Sequence, residues 1–575
     1  MNKKIYILGI NAYHADSSAA LILNGEVVSA TEEERFTRSK HWAGLPLKSI
    51  EFCLSEFNIR MSDVSAICIG RDPRVKLYRK IKFTVNHPKI AASMLRQRYS
   101  NRSDIDSIQE LLAAKFGFCP PINFIEHHRA HLASAFYSSP FEDATLVSVD
   151  GSGDFTTVMI GKGSGQNIEI LESQDFPVSI GLFYTAFTQF LGFPHYGDEY
   201  KVMGLSPYGT PKYIEELRSM IWSGEDQIIE WNSKFFQLSH GVVSYEANMP
   251  RVNMLFNEKQ FEKLFGKKRN KNEQITQRHK DISSSLQKRT EELVFEIIER
   301  AFNKTKIPKL CLAGGVAQNS VANGKILNST NIDEIYIPSA GHDAGISMGA
   351  AQFHYFNNLH NGRVNPLYNA NLGISFSNQR IKEILDNQGL VYDFLEDSEL
   401  FSYIAKAIAN NQVIGFFDGK AEFGPRALGS RSILADPRNR NAQQILNKKI
   451  KKRESFRPFA PSILEEFGDE YFENYQFTPF MERVLPIRKE KQHLIPAVTH
   501  VDGSGRLQTV NKTLRPRFYK LIKEFYKITG IPILINTSFN ENEPVVNKPQ
   551  EAIDCFLRTD MDMLILGNFI LEKRN

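Results

Sequence analysis

No apolar run in this chain of 575 residues is long enough to cross a bilayer, so a helical membrane protein is excluded. Cysteine is scarce and scattered: Cys53, Cys68, Cys119, Cys311 and Cys555 are odd in number and show no CxxC spacing. Neither a disulfide framework nor a zinc knuckle is predicted, and each thiol reads as a small buried hydrophobe in a reducing cytoplasm. Charge of one sign is also short, since a formal +5 over this length is too slight to argue for nucleic acid. The start, MNKKIYILGI, has two lysines and a short apolar run, but Asn11 and His14 interrupt it and no small-residue cleavage site follows. It reads as a core strand instead of a signal peptide. With 42% hydrophobic and 23% charged residues the composition is that of a globular protein. At this length one core usually divides into two or three domains.

What is present begins with residues 126–136, EHHRAHLASAF, which read as helix. Spacing of i and i+4 puts His127 and His131 on one helical face, where two ring nitrogens can converge on one ion. A metalloprotease would place its glutamate directly after the first histidine; His128 stands there, so that site is excluded. Further on, ATLVSVDGSGDFTTVMIG reads as strand, Gly-rich turn, strand, with Asp150 at the strand end. In SAGHDAGISMGAA, Asp343 sits beside glycines that open a helix. Two histidines and two carboxylates suit Fe(II), Mn(II) or Zn(II) better than a thiolate site does.

Residues 4–31 read as strand, acidic turn with Asp16, strand, Asn-Gly hairpin, strand, and residues 144–172 repeat the plan. The repetition predicts a duplicated actin-like or sugar-kinase-like α/β fold. Between the halves, LKSIEFCLSEF reads as helix and a basic segment from Arg71 to Arg102 as a solvated face. Residues 178–209 hold a Gly-Leu-Phe-Tyr-Thr turn before a helix and then a cluster around Asp198 and Glu199, which suggests a cleft. SLQKRTEELVFEIIERAF reads as an amphipathic helix. KLCLAGGVAQNSVANGKIL reads as strand, Gly314-Gly315 turn and helix, an arrangement that holds nucleotide phosphates or ribose. The first domain is placed at 1–360, an Asn/Gly/Pro-rich linker at 361–372 and a second domain at 373–575.

In the second domain, residues 415–460 carry eleven Lys or Arg against four Asp or Glu, interleaved with glycine, proline and apolar residues. Arginines so placed are held by a fold, and such a fold usually binds a planar anion such as phosphate or carboxylate. Arg506 in GRLQTVN, with Asn536 and Ser538 in ILINTSFN, can close the same pocket.

The colinear series GINAYHADSSAALILNG, TEEERFTRSKHWAGLP, HHRAHLASAF, VDGSGD, YGDEYKVMGL, LAGGVAQNSVANGK, EFGPRALGSRSILADPR, FRPFAPSIL and LINTSFN resembles the ATP-dependent O-carbamoyltransferases of nodulation factors and carbamoylated antibiotics. The resemblance runs through the whole chain. It implies an N-terminal module similar to the transferase that puts threonylcarbamoyl groups on tRNA, fused to a C-terminal YrdC-like α/β module. The second would make carbamoyl adenylate from carbamoyl phosphate and ATP with Mg(II), and the first would pass the carbamoyl group to a hydroxyl. It further implies iron held by His127, His131, Asp150 and Asp343. Gly314, Gly315 and Asn319 would lie beside the adenylate, and Gly181 on the substrate side. Arg426, Arg431, Lys451, Arg457, Arg506, Asn536 and Ser538 would hold nucleotide and carbamoyl phosphate, with Arg426 and Arg457 acting in catalysis. Asp16 would be the acid near the acceptor hydroxyl. Many members write His-Asp adjacent in this loop, whereas this chain has His14-Ala15-Asp16, which favours Asp16 over His14.

Asp16, His41, Asp198 and Glu199, with Lys40 and Trp42 nearby, offer carboxylates, an imidazole and an aromatic face, a lining that suits a sugar-containing acceptor in secondary-metabolite or glycan biosynthesis. Expected partners are therefore a small hydroxylated molecule, no nucleic acid and no membrane, with a homodimer as one arrangement. The competing functions are a tRNA threonylcarbamoyl transferase, which would not need the Arg-rich module, and a nucleotide-binding scaffold without catalysis.

Overall fold

The computed structural model describes residues 4–86, 107–238 and 242–573. Residues 87–102 of the basic segment lie outside the described residues. The chain divides into two compact units, Met1–Leu367 and Tyr368–Asn575, and the division falls inside the stretch 361–372.

The first unit contains one β-plan twice. In one sheet the order is Glu26–Glu32, Ser18–Leu23, Tyr6–Asn11, Val64–Ile69, Ile122–Phe124; the first three strands pair antiparallel and the last two join in parallel. In the other, Asn167–Asp175, Thr156–Ser164, Asp143–Gly153, Lys309–Ala313 and Glu334–Tyr336 follow the same order and polarity. Repetition of order and direction makes this the duplicated actin-like α/β fold. The Asn-Gly hairpin has Asn24 at φ 50° and Gly25 at φ 93°, the left-handed pair that a tight two-residue turn requires.

Two helices bring the halves together. His127–Phe136 packs on Asp143–Gly153 and Lys309–Ala313, and Gly345–Phe353 packs on Tyr6–Asn11 and Ser18–Leu23. They meet where neither can carry bulk: a Cβ on Gly349 would stand 1.9 Å from the Ala130 carbonyl oxygen, and one on Gly9 1.8 Å from that of Ser347. The helix Gln277–Thr305 runs 29 residues and buries Ile282, Leu286, Leu293, Val294, Ile297 and Ile298, as its 3.6-residue period predicts.

Some local expectations are revised. Gly-Leu-Phe-Tyr-Thr is not a turn before a helix but lies within the helix Ile180–Phe190, capped by Ser179 Oγ, which accepts from the Leu182 N–H at 3.2 Å. The start of the basic segment is no plain solvated face either. Lys76 Nζ donates to Asp175 at 2.6 Å and Arg79 to the same carboxylate at 2.7 Å. Four of the five cysteines are buried, while Cys119 is half-exposed.

The second unit is built on a nine-stranded mixed sheet: Asp393–Phe394, Phe569–Glu572, Met563–Leu566, Ile414–Phe417, Arg431–Ala435, Ile533–Ser538, Ala460–Leu464, Ser504–Val510, Arg483–Pro486. Its core is closed by the apolar faces of the helices Asp397–Ala409, Pro516–Thr529 and Pro549–Arg558. Among the described residues no helix is long and apolar enough to cross a membrane.

The glycine contact between the two helices has a direct test. Gly349→Ala is expected to destabilise the first unit by an amount toward the upper end of the roughly 1–3 kcal/mol typical of overpacking. Gly362→Ala, which meets nothing within 4 Å, is expected to leave it unchanged. Thermal unfolding followed by circular dichroism compares the two.

Candidate active site

At the centre of the first unit four side chains from three elements converge. His127 and His131 come from the first two turns of their helix, which Glu126 caps by accepting the Arg129 N–H at 2.8 Å. Asp150 comes from the irregular end of the strand Asp143–Gly153 and Asp343 from the turn before Gly345–Phe353. The two histidine Nε2 atoms lie 3.1 Å apart. His127 Nε2 is 3.3 Å from Asp150 and 3.6 Å from Asp343, and His131 Nε2 is 3.4 Å from Asp343. One ligand atom from each of the four lies within 4.8 Å of every other, and all four residues are buried. His128 turns away, to Ser148 Oγ and the Thr156 carbonyl.

These separations are close to the edges of a coordination polyhedron with ligands about 2.1 Å from its centre. Asp343 Oδ1 and His131 Nδ1 are buried with no hydrogen-bond partner. Burial would raise both carboxylates, yet the neighbouring imidazoles hold Asp150 down at about 2 and Asp343 well below the usual range. Two ionised carboxylates and two imidazole nitrogens at one buried point form a donor set that fits a divalent transition metal.

The glycines build the cradle. A Cβ on Gly153 would stand 2.1 Å from the His127 ring, one on Gly181 2.8 Å from Gly151, one on Gly314 2.2 Å from the Val149 carbonyl oxygen and one on Gly315 2.7 Å from Asp150 Oδ1. The Gly315 N–H donates to Asp150 Oδ1 at 2.9 Å. Asn319 is held by a reciprocal pair of 3.1 Å bonds with Gln287 and caps the short helix Ser320–Asn323.

Beside this cluster stands a second one. His41 Nδ1 lies 2.8 Å from Asp16 Oδ1, and the His41 backbone N–H donates to Glu34 at 2.9 Å. Both Asp16 and His41 have positive φ, 57° and 55°, so the loops are bent to make the pair. Burial alone would lower His41; the Asp16 carboxylate outweighs it and raises the imidazole to about 9. Tyr196 meets the His41 ring edge-on at 5.1 Å, and the hairpin Val243–Glu246 with Met249–Val252 is tied on through the Ala43 N–H and the Asn248 carbonyl, 2.8 Å. Glu199 is half-buried, accepts from Thr185 Oγ1 at 2.6 Å and interacts with His41 through its charge. Asp198 instead pairs with Lys201 at 2.7 Å, so its charge is spent within its own loop. His14, set aside in the sequence, contacts Asp343 at 2.7 Å.

In the second unit the basic residues do two different jobs. Arg431 is fully buried over the Phe417 ring, 3.6 Å from its centroid, and donates to the carbonyls of Asp418, Gly419, Ser430 and Ile374. Those bonds make it a strut for loop 418–430, which Glu422 also ties by accepting the Leu428 and Ser430 N–H groups at 2.7 Å. Arg506 is different. Burial and then Arg426, Arg453 and Arg457 all push its pKa far below the usual guanidinium range, and its Nε is buried without a hydrogen-bond partner. Four guanidinia thus act on one another, with Glu454 reaching Arg457 at 3.8 Å. Lys451 Nζ is ringed by oxygens of Ser538 and Asn540, at 2.7 Å from Asn540 Oδ1. Burial and then Arg453 press its pKa down, while those acceptors are the ones a donating ammonium needs. Asn536 donates to Ser462 and Gln508 and leaves its Oδ1 unpartnered. Arg453 was not singled out from the sequence, although it stands inside the run KKRESFRPF.

Against this geometry, comparison with known proteins is decisive. The family description Carbamoyltransferase N-terminus matches residues 6–352, and Carbamoyltransferase C-terminus matches 405–573. The chain belongs to the carbamoyltransferase family. It is similar to an uncharacterized protein of Synechocystis sp., 38% identical over 99% of this chain and 97% of that one. It is 36% identical to the nodulation protein NolNO of Sinorhizobium fredii, covering 98% of this chain and 80% of that protein. With the nodulation protein NolO of Bradyrhizobium diazoefficiens the identity is 40%, over 78% of this chain and 79% of the other.

Two outcomes are expected of the carbamoyltransferase's first unit. Given a divalent transition metal, wild-type protein should retain it and His131→Ala should lose most of it; elemental analysis after gel filtration decides, and full occupancy in the variant would remove the donor set. The Asp16–His41 pair should also leave a pH signature. A histidine raised in the folded state from 6.5 to about 9 adds stability that is fully present below about pH 6.5 and is lost as pH rises through about 9. The difference in melting temperature between wild type and His41→Asn should therefore be larger at about pH 6 than at about pH 10.

Proposed function

We propose that this carbamoyltransferase is ATP-dependent and works in two half-reactions. In the second unit, water cleaves carbamoyl phosphate to carbamate and phosphate. A carbamate oxygen then bonds to the α-phosphorus of ATP, carried with Mg(II), and pyrophosphate leaves, giving carbamoyl adenylate. In the first unit the acceptor's hydroxyl oxygen bonds to the carbamoyl carbon, the bond from that carbon to AMP breaks, and Asp16, paired with His41, takes the hydroxyl proton.

The observation that carries this reading is the gathering of Arg426, Arg453 and Arg457 around Arg506. Carbamoyl phosphate and ATP are both polyanions. A pocket of guanidinia lowers their mutual repulsion and fixes them for attack, whereas a scaffold without catalysis has no need to gather so much positive charge. His127, His131, Asp150 and Asp343 would hold the metal, iron by the family resemblance, which when bound supplies a Lewis acid. Gly314 and Gly315 offer backbone next to Asp150 against which an adenylate can lie. The acceptor we propose is a sugar-containing small molecule, since Asp16, His41 and Tyr196 put carboxylate, imidazole and aromatic face in one place.

The test is pyrophosphate release from ATP by the full chain. Release is expected to depend on carbamoyl phosphate. Arg457→Ala should lower it about a hundredfold, in line with roughly 2–4 kcal/mol for a charge-assisted contact to a reacting group. The same variant should still transfer the group from supplied carbamoyl adenylate to a sugar alcohol, scored by the mass gain of one carbamoyl group. A parallel fall in both half-reactions would refute the division of labour.

A further inference from the structure

Guanidinium and ammonium groups hold phosphate, yet they only donate. Carbamoyl phosphate also carries an NH2, and a buried NH2 needs an acceptor. A role for such an acceptor rests on the carbamoyl phosphate pocket proposed above. His500 lies in a tight turn, with its N–H donating to the Ser504 carbonyl at 2.8 Å and its carbonyl accepting the Gly503 N–H at 2.9 Å. The strand Ser504–Val510, which bears Arg506, starts directly after it.

The ring's proton is fixed by a short relay. Ser504 Oγ is 2.6 Å from Asp502 Oδ1, and because a carboxylate has no proton to give, the hydroxyl donates to it. Ser504 Oγ is then the acceptor for the ring nitrogen 3.1 Å away, which places the proton on His500 Nδ1. Burial, opposed by Asp502 and assisted by the Arg506 guanidinium, lowers the imidazole to about 4, so it is neutral and Nε2 keeps a lone pair. A hydrogen bond from the ring to the Phe459 backbone also opposes the lowering. His500 Nε2 is buried with no hydrogen-bond partner, and so is Arg506 Nε. An acceptor and a donor thus stand unmatched beside the four guanidinia.

We infer that His500 Nε2 accepts an N–H of the carbamoyl amide, making His500 the specificity-determining residue that separates carbamoyl phosphate from acyl phosphates in the same pocket. Acetyl phosphate has a methyl group where carbamoyl phosphate has its NH2. Bound there, it would leave Nε2 stripped of water and unpaired. Sites built to bond a substrate N–H reject analogues that lack it by up to about ten-thousandfold.

The experiment measures the KM for carbamoyl phosphate and for ATP in pyrophosphate release by the full chain, with acetyl phosphate as competitor. Wild type should prefer carbamoyl phosphate strongly. His500→Leu should raise the KM for carbamoyl phosphate about a hundredfold while the KM for ATP changes less than about threefold and the Ki of acetyl phosphate does not rise. A merely structural role would move ATP and both acyl phosphates together. His500→Gln, which keeps an acceptor oxygen, should regain part of the preference. Ser504→Ala, which frees the tautomer, should lose part of it and serves as the readout if His500→Leu does not fold. An unchanged ratio of carbamoyl phosphate KM to acetyl phosphate Ki in His500→Leu, or in Ser504→Ala should the first not fold, would overturn the assignment. A wild type that releases no pyrophosphate on addition of carbamoyl phosphate would instead bring down the pocket reading on which it rests.

Discussion

Like charges gathered at one point set the terms for everything else in this carbamoyltransferase. Asp150 and Asp343 are buried within reach of the same two imidazoles, and in the second unit the half-buried Arg506 feels three other guanidinia. The two carboxylates offer oxygens within 4.8 Å of each other, where like charges repel by roughly several kcal/mol even at an effective dielectric constant near 20. Neither arrangement is a good way to stabilise a fold, since a hydrophobic filling of similar volume often does as well or better. Each is intelligible as half of an interaction, with the counter-charge arriving as ligand.

Holding such clusters requires backbone that does not yield, and the chain supplies it differently in the two units. In the first, glycines let main chain close on main chain: Gly314 against Val149, Gly181 against Gly151, Gly153 against the His127 ring. In the second, rigidity comes from buried polar ties. Glu422 and Arg431 are both buried, and both spend hydrogen bonds on the backbone of loop 418–430, which Arg431 also ties to the Ile374 carbonyl, so that Arg426 in that loop is presented from a fixed base. Arg431 and Arg506 show that residue type does not settle role: one arginine gives its terminal N–H groups to carbonyls, the other is pressed by its own kind.

How far the sequence could be read follows from how local each feature is. His127 and His131 were legible because an i, i+4 pair needs only helical periodicity, and the duplicated plan because period-2 strands and an Asn-Gly turn recur. Asp150 and Asp343 stood out by their glycine neighbours, which the cradle requires sterically. Asp198 was misleading: its partner Lys201 is three residues on, but composition cannot tell a paired carboxylate from one aimed into a cleft. Arg453 was missed because what marks it, its effect on Arg506 about fifty residues further along, exists only after distant segments meet; His500 was missed although Ser504 is four residues on, since composition cannot show a ring locked by its neighbour. The nine-stranded sheet was equally out of reach. Its neighbours Arg431–Ala435 and Ile533–Ser538 lie about a hundred residues apart in the chain, and no short-range pattern sets such a register.

The two clusters also divide the chemistry by sign. A buried pair of carboxylates with two imidazoles selects a cation of small radius and fixed coordination, which is a poor way to grip a large nucleotide but a good way to polarise one oxygen of it. A set of guanidinia selects extended, planar or multiply charged anions and is a poor Lewis acid. On the function proposed, assembling an activated anhydride from two polyanions would call for the second; passing its acyl group to a neutral hydroxyl, where one carbonyl must be polarised and one proton removed, would call for the first, with a base such as the Asp16–His41 pair. One fold offering both would have to keep carboxylates and guanidinia apart to stop them from neutralising each other. Here each set is built on its own unit, the carboxylates on Met1–Leu367 and the guanidinia on Tyr368–Asn575.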